Sequence, residues 1–169
     1  RERLLRSVRL RLRSDVPVGC YLSGGIDSSV TSLLAREAMG DRFKTFSICF
    51  EDGEFDESEY QRAMVRQLGS EHHPERVTVD SINDNFLEAV RHIERPIFRT
   101  APLPLFLLSR RVRAEDIKVV LTGEGADEIL YGYDVFKEIR LLEAWKGDAT
   151  EDQIDAILRT LYPHLEHYQ

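Results

Sequence analysis

Residues 16–29 leave the chain the fewest choices. An apolar run, Val16 to Leu22, is followed by Ser23-Gly24-Gly25-Ile26-Asp27-Ser28-Ser29 and then by an amphipathic stretch to Met39. The run reads as a buried strand, and Ser28 to Met39 as a helix. Two adjacent glycines in the turn between them let the backbone approach a ligand with its N–H groups outward. The helix start adds unsatisfied N–H groups and the positive end of a dipole. That combination suits phosphate. It is not a Walker loop, which needs Gly-Lys-Ser/Thr, and it lacks the third glycine of a dinucleotide loop. A plainer reading keeps only a Gly-Gly turn with Asp27 or Ser28 capping the helix.

The pattern repeats along the chain. Arg1 to Arg13 holds six arginines, with Leu4, Leu5, Val8 and Leu12 at helical spacing. A helix with one core stripe and a solvated cationic face explains this better than an RNA-binding arm. Gly40-Asp41 closes the helix after the first loop, and Phe43 to Phe50 is a second strand. Glu51 to Glu59 is an acidic loop in which Asp56 can cap a helix running to Leu68, with Gly69 beyond it. Val77 to Val79 is expected as a short third strand, Ser81 to Ile93 as a helix, Arg95 to Pro104 as a proline-rich loop, and Leu105 to Ala114 as a helix. Ile117 to Leu121 is a fourth strand. Phe136 to Trp145 and Gln153 to Leu161 read as helices joined by Lys146-Gly147-Asp148, and Trp145, Leu158, Leu161 and Tyr162 need something to pack on. Strands separated by helices imply an α/β fold: an open, mostly parallel sheet with helices on both faces and a helical C-terminal tail.

Composition excludes several classes. Of 169 residues, 42% are hydrophobic and 31% charged, as in ordinary globular domains. No apolar run approaches the roughly 18 residues of a membrane span, and the N-terminus shows no signal-peptide core. No membrane partner is expected. The net charge of −7 argues against a nucleic-acid surface. Cys20 and Cys49 each lie in an apolar run, which suggests buried reduced thiols in a cytoplasmic protein. His72-His73, and the pair His164 and His167, lack a carboxylate or cysteine frame and read as surface or packing residues rather than metal ligands.

A second glycine loop, Thr122-Gly123-Glu124-Gly125-Ala126-Asp127-Glu128, follows the fourth strand. Ligands of open α/β sheets lie beyond the carboxyl ends of the strands, where strand order reverses. A sheet ordered 3-2-1-4 would set the two loops side by side, with Asp27, Asp127 and Glu128 near one polyphosphate and its Mg²⁺. Taken alone, Asp127-Glu128 could equally be first-turn acids favoured by the helix dipole.

Ser23-Gly24-Gly25-Ile26-Asp27-Ser28, Phe46-Ser47-Ile48, His72-His73 and Thr122 to Glu128, in that order, resemble the synthetase part of glutamine-dependent asparagine synthetases, in the N-type ATP pyrophosphatase superfamily. The resemblance runs from about Leu4 to Tyr133. It implies ATP and Mg²⁺, with Asp27 and Asp127 holding the metal and Ser23, Gly24, Gly25 and Ser28 cradling the pyrophosphate. Ile48 would meet adenine through its backbone. Tyr21 or Leu22, Thr122 and Gly123 would line the nucleoside pocket, and Arg99 would face the pyrophosphate. Glu124 would serve the acyl chemistry, near aspartate and ammonia. Cys20 and Cys49 depart from the small residues usual in the family.

The resemblance further implies a layout: residues 1–14 as a helix following a glutaminase domain, residues 15–135 as the synthetase core, and residues 136–169 as the helical start of a longer C-terminal part. A glutaminase domain before Arg1 and further residues after Gln169 are expected, including a lysine of the adenylation step, so the chain reads as a fragment inactive alone. The resemblance also admits a homodimer of the full-length enzyme. The rival readings are a related ATP pyrophosphatase with another acceptor, such as a β-lactam-type synthetase or a tRNA-modifying enzyme, or a non-catalytic interaction domain. Glu124 opposes the β-lactam type, the acidic charge opposes the tRNA enzymes, and the presence of both Asp27 and Asp127 opposes the non-catalytic one.

Overall fold

The computed structural model describes residues 1–40, 43–53, 55–147 and 149–161. Asp41, Asp148, Tyr162, His164 and His167, on which expectations were placed, lie outside them. The chain divides into two compact units, Arg1–Gly123 and Glu124–Gln169.

The first unit holds α1 (Glu2–Arg11), β1 (Val18–Tyr21), α2 (Ile26–Met39), β2 (Lys44–Phe50), α3 (Ser58–Leu68), β3 (Glu71–Val77), α4 (Val79–Ile93), α5 (Pro102–Ala114) and β4 (Val119–Leu121). The four strands form one sheet in the order β3-β2-β1-β4, every pair parallel. This is the expected open parallel sheet, in the expected order.

Strand alternation sends successive side chains to opposite faces. On one face Cys20 and Leu22 pack with Val8 of α1, Leu34 and Ala35 of α2, Phe43 and Leu68. On the other, Phe46 packs with Leu108 and Val112 of α5 and with Ile117, and Tyr21 and Ile48 lie against them. Helices therefore cover both faces. Each fully buried large side chain, such as Phe46 or Leu22, contributes about 1.5–3 kcal/mol. Val8, Leu5 and Leu12 seat α1 on this core, as a packed helix requires, although Leu4 faces out. Both cysteines are free thiols. Burial pushes the Cys20 thiol up to about 12, whereas Cys49 is only half-buried.

Several boundaries differ from those expected. The third strand is Glu71–Val77 rather than Val77 to Val79. It is an edge strand, paired only with β2, so it needs no apolar run and tolerates Pro74. α4 then begins at Val79, because Thr78 accepts from the Ser81 amide at 3.0 Å and Ser81 Oγ accepts from the Thr78 amide at 2.8 Å. α5 begins at Pro102, not Leu105, since prolines in a first turn remove only N–H groups that have no helical acceptor. β1 starts at Val18 rather than Val16, whose amide is taken by Ser14 Oγ. Ile117 donates to the Val112 carbonyl at the end of α5, so β4 starts two residues later than expected. Asp56 does not cap α3; the N-cap is Glu57, and Asp56 Oδ2 instead accepts from Ser58 Oγ at 2.6 Å.

The second unit contains α6 (Ala126–Leu130), α7 (Asp134–Lys146) and α8 (Glu151–Leu158). Thr150 and Gln153 form a reciprocal cap at the start of α8. Lys137 of α7 bonds Asp134 and the Thr160 carbonyl, while Leu141 is buried. Trp145 and Leu158, expected to be packed, are exposed. No helix among the described residues is long and apolar enough to cross a membrane.

Candidate active site

β1 delivers the chain to the first glycine loop with its end pinned. The Leu22 amide donates to the Phe46 carbonyl at 2.8 Å, and Ser47 Oγ donates to the Leu22 carbonyl. The Leu22 side chain is buried in the core, so Leu22 can line a pocket only through a backbone already bonded. The chain leaves the sheet at Ser23. Ser23 and Ser28 hydroxyls lie 2.9 Å apart, the Ser23 amide donates to Ser28 Oγ at 3.2 Å, and Ser28 Oγ donates to the Gly25 carbonyl at 3.2 Å. The N-cap of α2 is Gly25, with no side-chain cap, so neither Asp27 nor Ser28 serves as the helix cap of the plainer reading. The first helical bond is Ser29 N–H to Gly25 O, which leaves the amides of Ile26, Asp27 and Ser28 without an acceptor inside the helix. Asp27 is half-buried in that same turn.

Two glycines are there for close approach. At Gly24, with φ +90°, a Cβ would stand 2.8 Å from Tyr60 Cβ and 3.0 Å from the Gln61 amide nitrogen, so α3 is packed directly on the loop. At Gly123 a Cβ would stand 2.9 Å from the Ser28 nitrogen and 3.1 Å from the Asp27 carbonyl carbon. The segment after β4 thus lies on the start of α2, as the strand order requires. Thr122 is half-buried beside it.

Ile48, near the end of β2, is half-buried, and its carbonyl accepts from Gln61 Nε2 at 2.9 Å. The Tyr21 hydroxyl lies 3.3 Å from Ser109 Oγ of α5. Arg99 is exposed in the connection between α4 and α5.

Within the second unit, Glu124 is exposed and Asp127 half-buried, in the turn and first residues of α6. The Asp127 carboxylate packs on Gly132, where any Cβ would collide with it. Tyr133 donates its hydroxyl to Glu128 Oε1 at 2.9 Å. That bond, with the charges of Glu128, Asp127 and Glu124, holds the Tyr133 phenol above the usual tyrosine range. Three acids therefore gather around one tyrosine.

The donor set of the first loop fits a polyphosphate. It offers helix-start amides, two hydroxyls and, in Asp27, the hard oxygen ligand that Mg²⁺ prefers. The histidines do not contribute to it. His73 is buried, stacked on Phe46 with ring centroids 5.3 Å apart. Its Nε2 lies 3.0 Å from Glu71, and Arg111 lies 3.3 Å from its Nδ1. His72 Nδ1 lies 3.0 Å from Thr45 Oγ1, and burial pushes its pKa down. His73 does not lack a carboxylate frame, although the sequence suggested so: Glu71 and Glu115 both face it. Glu71, His73 and Glu115 stand close enough to share an ion, but Lys44 and Arg111 already neutralise the two carboxylates. Lys44 and Glu71 open β2 and β3, so this network sits at the amino-terminal end of the strands, opposite the first glycine loop.

The family model for asparagine synthase matches residues 1–167. The chain belongs to the asparagine synthase family. This member is 37% identical over 157 residues to Amidase chyE of Penicillium rubens, which covers 85% of the chain and 23% of the relative. It is 35% identical over 138 residues to asparagine synthetase [glutamine-hydrolyzing] 1 of Bacillus subtilis, covering 82% of the chain and 22% of that relative. With asparagine synthetase B of Escherichia coli it shares 35% over 151 residues, covering 80% and 27%. The chain thus spans about a quarter of the length of these curated relatives. Its fold is that of the NH3-dependent NAD synthetase of Campylobacter jejuni, with a TM-score of 0.53 at 17% identity over 99% of this chain and 88% of the other. It is therefore an asparagine synthase family domain whose open parallel sheet is similar to the NAD synthetase fold.

Sequence reasoning missed Gln61 and the role of Tyr133. Each acts through a hydrogen bond to a residue that motif spacing does not reveal, and no local signal marks Gln61. Tyr133 had a cue, a phenol five residues from Glu128. Ser47 was noticed only as part of the Phe46-Ser47-Ile48 motif, and its bond to the Leu22 carbonyl was not foreseen.

Proposed function

We propose that the chain is the nucleotide-activating part of an ATP-dependent amide ligase. It adenylates the side-chain carboxylate of aspartate, releases pyrophosphate and leaves the acyl group open to ammonia, giving asparagine. The observation that carries this reading is the contact of Gly123 with the Ser28 and Asp27 backbone, which sets the segment after β4 against the phosphate-type loop after β1.

A carboxylate is a poor acyl electrophile, and transfer of AMP to it makes it a good one. Charge then moves onto the departing pyrophosphate. The amides of Ile26, Asp27 and Ser28 and the Ser23 and Ser28 hydroxyls would stabilise that charge. Asp27 would hold Mg²⁺, which when bound neutralises part of the phosphate charge. The resemblance gives Asp127 the same task. Gly24 and Gly25 let the phosphates come close to the backbone. Ile48 would read adenine, with Tyr21, Leu22, Thr122 and Gly123 around the nucleoside and Arg99 toward the pyrophosphate. Glu124 would take the proton that ammonia loses on attack. The family relationship supports a glutaminase domain as the source of ammonia.

A second reading keeps the activation step and changes the acceptor. The 37% identity to Amidase chyE favours it, because that relative is as similar as the asparagine synthetases. The test is asparagine formation from aspartate, MgATP and ammonium by the complete protein, beside Asp27→Ala. The first reading expects asparagine from the parent and none from the variant, with Mg²⁺-dependent nucleotide binding lost and the fold intact. MgATP-dependent pyrophosphate release with a carboxylate other than aspartate would select the second. Equal MgATP affinity in parent and variant would remove Asp27 from the site.

A further inference from the structure

Gln61 is 2% exposed, yet it is polar and sits in the first turn of α3, where leucine would fill a similar space. An amide is costly to bury unless both of its ends are bonded. Both are: Nε2 donates to the Ile48 carbonyl at 2.9 Å, and Oε1 accepts from Cys49 Sγ at 3.3 Å. The backbone of the same residue stands against Gly24, with its nitrogen 3.0 Å from where a Cβ there would be. One turn of α3 therefore touches the glycine loop with its backbone and the end of β2 with its side chain.

The strand geometry shows what that side chain controls. The Phe46 carbonyl points toward β1 and accepts from Leu22. The two-residue period puts the carbonyl and amide of Ile48 on the same side. β1 ends at Tyr21, and the Ile48 carbonyl lies past the last paired residues of that strand. Gln61 takes the carbonyl. The Ile48 peptide is also the one that the proposed function sets against adenine, so Gln61 fixes where that peptide stands.

We propose that Gln61 is a positioning residue for the nucleoside end of ATP. It holds the Ile48 peptide at a set distance from the glycine loop, so that one nucleotide meets both the base contact and the phosphate contacts without rearrangement. The proposal rests on the reading of this site as an ATP site. It differs from a packing role in one respect: only ligands that span both contacts should sense Gln61. Pyrophosphate needs the glycine loop and not Ile48.

The test uses Gln61→Leu and Gln61→Met in the complete protein, titrated calorimetrically with MgATP and, separately, with magnesium pyrophosphate. Thermal unfolding runs alongside, and the flexible methionine serves if the leucine variant does not fold. The expected result is a Kd for MgATP about tenfold higher in the variants, the scale of one lost buried hydrogen bond. The Kd for magnesium pyrophosphate should stay at the parent value. Unchanged MgATP affinity would overturn the proposal. So would loss of both ligands by the same factor, which would make Gln61 a brace of the fold. A parent that binds pyrophosphate but not MgATP would instead remove the ATP-site reading, before any variant is measured.

Discussion

Glu115, at the end of α5, accepts a hydrogen bond from Lys44, the first residue of β2, at 3.0 Å. Glu71, His73 and Arg111 face the same pair. The Lys44 hydrogen bond, aided by the His73 and Arg111 charges, holds the Glu115 carboxyl below the usual carboxylate range, and the same bond holds Lys44 above the usual lysine range. A depressed carboxyl stabilises the fold above its unfolded pKa, about 4.3, and that contribution is lost as pH falls through the folded value. For Lys44 the stabilisation is present below about pH 10.4 and is lost as pH rises through its folded value. Glu115→Gln should therefore be less stable than the parent at pH 7, with the gap closing below about pH 4. Urea midpoints across that range measure it. A gap independent of pH would show that the ion pair contributes nothing.

Gly123→Ala should push residue 123 away from the start of α2. The new methyl meets backbone at 2.9 Å, which no rotamer change relieves. A loss of about 1–3 kcal/mol in folding stability is the scale of such overpacking. MgATP affinity should fall further than stability alone explains. Calorimetry under conditions where the variant is fully folded decides it, and parent-like affinity would mean that the Gly123 contact does not shape the site.

Glu124→Gln keeps size and loses both charge and base. If Glu124 serves the ammonia step, MgATP affinity should be nearly unchanged while amide formation falls by roughly a hundredfold or more, the scale of a lost general base. Added ammonium should not rescue it, because the defect lies downstream of ammonia supply. Equal rates of amide formation would remove Glu124 from the mechanism.

What could be read from the chain follows how local each determinant is. The strand read from Val16 to Leu22, observed as Val18–Tyr21, and the turn after it were legible because strand, loop and helix start are encoded close together. The strand order was legible because two loops of one chemical kind follow β1 and β4, and an open sheet that serves both sets those strands side by side. β3 was not, since an edge strand of Glu, His, Pro and Arg carries no apolar signature and is held by its ladder to β2. The start of α5 was misread because prolines at its first and third positions look like loop, although a first turn has no use for those N–H groups. Gln61 was invisible because its bond to Ile48 crosses from helix to strand over a dozen residues with no repeating pattern between them.

The position of β1 has a consequence for how the protein is made. β1 is a central strand, yet one of its two partners is made about a hundred residues later, with Val18 beside Val119. Closing that pair joins residues roughly a hundred apart, a contact whose entropy cost must be met before it stabilises anything. Until β4 leaves the ribosome, one edge of β1 is open to a stray strand from another chain, which is the exposure that favours misassembly during folding. Gly123 reaches Ser28 only after that edge closes, so the proposed nucleotide site is completed late in the first unit. Nucleotide present during refolding would then act late, trapping the finished sheet rather than nucleating it.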